Sequence, residues 1–172
     1  AINTVNGFGI LSTARAMQAL AKLDQAGQQR LENALTEASD GADVVLVDAA
    51  LSALSQAEGL AGKSAAVLPS LASGAALLVL VDATASGITE SYALIKRLAL
   101  ENARLHFEIV VNKAADEKAA MTVFDNMAKL ARRNLAARLE YLGFIPHDDR
   151  LKRATQLGRS VVEAFPAAAS TK

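Results

Sequence analysis

The chain has 172 residues, about one domain's length and enough to bury a sizeable core. Hydrophobic residues make up 52% and aromatics only 4%, with much of the apolar share alanine, a composition that suits helices packed closely on a sheet. The 18 basic and 18 acidic side chains cancel, which removes any global electrostatic case for DNA, RNA or an anionic membrane, and the absence of cysteine excludes disulfides, thiolate metal sites and a cysteine nucleophile.

Elements alternate along the chain. Phe8-Gly9-Ile10-Leu11-Ser12 reads as a first strand. Residues 24–39 read as a helix, with Asp24 as N-cap and Leu31, Ala34, Leu35 and Ala38 on one face. Residues 43–48, a short run of β-branched and apolar side chains, suit a strand buried on both faces. A loop plus helix is expected over 49–71, and a second buried strand over 77–82. The pattern then gives a helix at 89–101, a strand at 105–111 and a helix at 117–135. Ala120, Phe124, Met127, Ala131 and Leu135 form the stripe of that last helix. A strand at 138–145 leads to Pro146, and short helices follow near 149–157 and 160–164. Such alternation predicts a mostly parallel sheet covered by helices with right-handed crossovers. A single α/β domain over 1–166 is expected, with 167–172 as a frayed end.

No signal peptide is visible, and the longest strongly apolar stretch, 75–81, is too short to span a bilayer. A cytoplasmic protein that binds no membrane is the expectation. The chain begins at Ala1 without a methionine, which keeps an excised or processed fragment in view.

Several residues carry chemistry. Asp48 and Asp82 each end an apolar run, and ligands of open α/β sheets bind at the carboxyl ends of strands. An aspartate there can hold magnesium, or merely cap the next helix. Gly62-Lys63-Ser64 fails as a phosphate loop, because Ala57 stands where G-x-x-x-x-G-K-[ST] needs glycine and no strand precedes it. Asn112, after Ile109-Val110-Val111, can read a base edge through its amide or simply form a turn. His106 and His147 lack metal-ligand spacing, and no Ser-His-Asp set exists.

In order and spacing these pieces resemble the MinD/ParA-type P-loop ATPases, above all their members that regulate flagellar number. The stretch from Asp82 to Lys96, Asp-Ala-Thr-Ala-Ser-Gly-Ile-Thr-Glu-Ser-Tyr-Ala-Leu-Ile-Lys, is similar to the family's T-P-E-P-T-S-I-T-D-A-Y-A-L-I-K. Val110-Val111-Asn112-Lys113 is similar to its V-V-N segment. Leu139-Glu-Tyr-Leu-Gly-Phe-Ile-Pro146 followed by Asp148 is similar to its L-E-Y-L-G-x-I-P-x-D. Ala154, Gln156, Val161, Val162 and Pro166 fit the tail.

The resemblance implies roles. Asp48 matches the Walker B aspartate, assisting magnesium through water. Asn112 matches the adenine contact, Pro146 and Asp148 match the loop bordering the base, and Ser86 and Tyr92 match a segment of mainly structural role. The family's D-T-x-A-G switch reads Asp48-Ala49-Ala50-Leu51-Ser52 here, without its threonine and flexible glycine. The phosphate loop would lie before residue 1, so a P-loop-type fold incomplete at its N-terminus is expected. ATP and magnesium then belong to the intact parent, with neither bound by this chain and no hydrolysis by it. The resemblance further implies a homodimeric parent acting in spatial or numerical regulation, with protein partners in a flagellar or other polar machinery. Two alternatives remain open: a degenerate interaction module without ATPase activity, and a MinD-like protein of cellulose secretion or partition. With the phosphate-loop strand missing, the strand at 43–48 is expected to pair directly with 77–82, or else across a dimer.

Overall fold

The computed structural model describes residues 3–5, 8–10, 24–46, 48, 76–102 and 105–171. The chain divides into two compact units, residues 1–75 and 76–172.

In the first unit, β1 (Asn3–Val5) and β2 (Phe8–Ile10) form an antiparallel hairpin in which Val5 faces Phe8. The strand expected from Phe8 is therefore present, but in a hairpin separate from the parallel sheet. In the sequence, Asn6-Gly7 stands between them, and Asn-Gly is the dipeptide that two-residue hairpins favour. Helix α1 (Gln25–Ser39) starts as expected, with the Asp24 carboxylate accepting from the Gly27 N–H at 2.8 Å.

The strand expected at 43–48 is not found: residues 44–46 and 48 lie outside any helix or strand. Val44, Val45 and Leu46 are 74%, 53% and 81% exposed. A β-branched run becomes a strand only when a neighbour takes its N–H and C=O groups. Without a ladder those groups stay with water. The helix expected within 49–71 lies outside the described residues.

The second unit holds β3 (Leu78–Asp82), α2 (Ala85–Asn102), β4 (His106–Ala114), α3 (Glu117–Leu135) and β5 (Arg138–Pro146). The strands form a parallel sheet in the order β3-β4-β5, so each crossover joins adjacent strands. Right-handed crossovers between neighbours put both helices on one face, where α2 and α3 also pack on each other. The core lies between: Val79, Val81, Phe107, Ile109, Val111 and Leu139 from the sheet meet Ile95, Met127 and Ala131 from the helices. Hence 77–82 is not buried on both faces. Burial alternates along β3, with Val79 and Val81 inside and Leu78 and Leu80 exposed.

Helix α3 spans the expected residues, with Ala120, Met127, Ala131 and Leu135 buried. Asp116 caps it by accepting from the Ala119 N–H at 2.7 Å, and Ala136 ends it in a left-handed conformation at φ 52°. Beyond β5 come α4 (Asp149–Gln156), the short α5 (Val161–Ala164) and a 3-10 turn (Ala169–Thr171). The end expected to fray is instead tied down: Ala168 is fully buried, and the Arg150 guanidinium donates to the Ala167 carbonyl at 3.1 Å. Among the described residues, no helix is long and apolar enough to cross a membrane.

Candidate functional site

Parallel strands in register bring their carboxyl ends to one edge of the sheet. Asp82 of β3 pairs with Asn112 of β4, and Asn112 pairs with Ile145 of β5, next to Pro146. The ladder runs one step further, since the Ala83 N–H donates to the Asn112 carbonyl at 2.9 Å and the His147 N–H to the Ala114 carbonyl at 3.0 Å. Asn112, Pro146 and Asp148, chosen separately from the sequence, thus lie at the same end of one sheet. Asp48 belongs to the other unit, where it is exposed and outside any helix or strand.

Asp82 is not the cap of α2. One carboxylate oxygen accepts from the Thr84 N–H at 3.2 Å, and Thr84 does the capping, its hydroxyl accepting from the Gly87 N–H at 3.1 Å. The helix can start this close to β3 only because residue 87 is glycine. A Cβ there would stand 2.6 Å from Asp82 Cβ and 2.7 Å from the Asp82 carbonyl oxygen.

The other Asp82 oxygen pairs with the Lys113 ammonium. That hydrogen bond, assisted by the Thr84 N–H, holds the Asp82 carboxyl below the usual carboxylate range against an opposing effect of partial burial. This pair is the site feature that reading the sequence missed. Two strand-end polar residues on neighbouring strands were its only signal, and strand order is needed to see them as neighbours.

Around Asn112 the geometry is tight. The Lys113 N–H donates to Asn112 Oδ1 at 3.0 Å, and the amide NH2 has no protein partner among the described residues. Asp148 is fully engaged. It accepts from the Arg150 N–H at 2.9 Å as the N-cap of α4, and its second oxygen accepts from the Ser170 N–H at 3.1 Å and hydroxyl at 3.2 Å. These N–H donors, Arg150 first, hold its carboxyl below the usual range. Asp148 therefore shapes the loop after β5 and ties down the chain end. A shallow depression beside it is bordered by His147, Asp149, Arg150, Ala167 and Ala169. Ser86 and Tyr92 lie on α2, where the Tyr92 hydroxyl accepts from Asn134 of α3 at 3.2 Å.

At this edge the Asn112 NH2 remains a donor able to meet a hydrogen-bond acceptor. Among the described residues, no group of three or more His, Asp or Glu gathers.

A parallel α/β sheet flanked by helices, with polar residues at its strand ends, is consistent with the later part of a MinD/ParA-type fold, the class its motifs indicate. No protein-family model matches the chain. Among curated proteins it is similar to the antiactivator FleN of Pseudomonas aeruginosa, 29% identical over 160 residues, which cover 93% of this chain and 54% of that protein. The chain thus spans about half the length of the curated relative it matches.

Proposed function

We propose that this chain is the base-contacting part of a MinD-like ATPase that regulates the number or placement of flagella from the cytoplasm. The observation that carries the reading is the similarity to an antiactivator along nearly the whole chain, ending in a sheet edge that holds Asn112 and Pro146 together. In this reading the Asn112 NH2 donates to an acceptor on the base, Pro146 borders the ring, and Asp148 keeps the following loop in shape through its caps. Asp48 assists magnesium through water, and bound ATP supplies the energy for dimerisation, through which protein partners are recruited. Hydrolysis is not assigned to these 172 residues, which contain no phosphate-loop pattern. Deleting the gene and counting flagella per cell tests the pathway. Altered number or position is expected, and an unchanged count with unchanged placement contradicts it.

One observation favours a second reading. The switch-like segment Asp48-Ala49-Ala50-Leu51-Ser52 lacks the hydroxyl and glycine that would approach a γ-phosphate, which suits an interaction module that has given up ATP turnover. Such a module alters flagellation on deletion but releases no phosphate from ATP.

A further inference from the structure

Lys113 combines three features at the end of β4. Its backbone is left-handed, with φ 58°. It is the extra residue of a bulge, since Asn112 pairs with Ile145 while Ala114 pairs with Pro146. Its ammonium reaches across to Asp82, the register partner of Asn112 on β3. A Cβ disfavours the left-handed region, so a lysine stays there only where its surroundings hold it. Asp82 is suited to that task, because its other oxygen is already fixed by the Thr84 N–H. The residue so held also meets its neighbour, its N–H donating to Asn112 Oδ1 at 3.0 Å. A backbone N–H can only donate, so the amide must present its oxygen to Lys113 and its NH2 away from it.

We propose that Lys113 is a positioning residue, latched by Asp82, that presents Asn112 as a hydrogen-bond donor to an acceptor atom on the edge of a bound base. The base half of this rests on the reading of Asn112 given above; the latch itself is measurable without ligand. In the full-length gene product, the side-chain amide signals of Asn112 are assigned by their loss in Asn112→Ala. Asp82→Asn keeps the shape and removes the charge. It is expected to shift those signals in the nucleotide-free protein and to weaken binding of ATP with magnesium about tenfold, the loss of roughly one hydrogen bond. Adding Lys113→Gly to Asp82→Asn is expected to restore both, because glycine takes a positive φ unaided. A merely stabilising ion pair would not be rescued by deleting its second partner. Asn112 signals that do not move in Asp82→Asn, or that fail to recover in the double variant, overturn the proposal. Signals that move and recover while ATP affinity stays constant, or is undetectable in the wild type, overturn the base-contact reading instead and leave the latch standing.

Discussion

At the scale of single residues, two positions decide the shape of the site. Gly87 lets the first turn of α2 approach the end of β3, and the atoms a side chain would meet include the Asp82 backbone carbonyl, which cannot swing aside. Gly87→Ala is therefore expected to cost about 2 kcal/mol, within the usual range for overpacking, with a matching fall in the urea midpoint. An unchanged midpoint would contradict the close approach. Asp148 is the second. Its carboxyl lies below its unfolded value, held by the Arg150 and Ser170 N–H groups. A depressed carboxylate contributes stability that is present above its unfolded pKa, about 4, and lost as the pH falls through the lowered value. Wild type and Asp148→Ala should thus differ in urea midpoint at pH 7 and converge as the pH drops below about 4. A gap independent of pH would show that the caps act without the charge.

The elements differ in how far their sequences determine them. Helix α3 was legible throughout, because Ala120, Met127, Ala131 and Leu135 repeat at helical spacing and bury as they should. Helix α2 starts at Ala85, four residues before the expected Thr89, because Thr84 caps it and Gly87 lets its first turn approach β3. The hairpin of β1 and β2 was signalled by Asn6-Gly7, a pair easily passed over beside strands of three residues. Residues 43–48 had the composition of a strand, but composition cannot show whether a ladder partner is at hand. The same limit hid the Asp82–Lys113 pair, which joins two strands 31 positions apart. Motif order put Asn112, Pro146 and Asp148 forward as site candidates, and the sheet register brings them to one end. The direction of the Asn112 amide was not legible, since it follows from the Lys113 N–H, from which its Oδ1 accepts. Helix α3 also offers a test of its own. Ala136 closes it at φ 52°, a conformation that glycine adopts at no steric cost. Ala136→Gly is expected to raise stability by about 0.5–1 kcal/mol, and a loss on thermal or urea unfolding would contradict the left-handed cap.

For the whole molecule, among the described residues the second unit carries a sheet that α2 and α3 cover on one face. Leu78, Leu80 and Leu142 are exposed at 39%, 53% and 54%, whereas purely parallel sheets are ordinarily covered on both faces. In the proposed function, the strand ends at its edge, with Asn112 and Pro146, form the base side of a nucleotide site. The central claim is that Asn112 faces the base of ATP. The most direct measurement is calorimetric titration of the full-length gene product and its Asn112→Ala variant with ATP and magnesium. The account predicts saturable binding by the wild type, weakened about tenfold in the variant with folding unchanged. Equal affinity in the two proteins would contradict it.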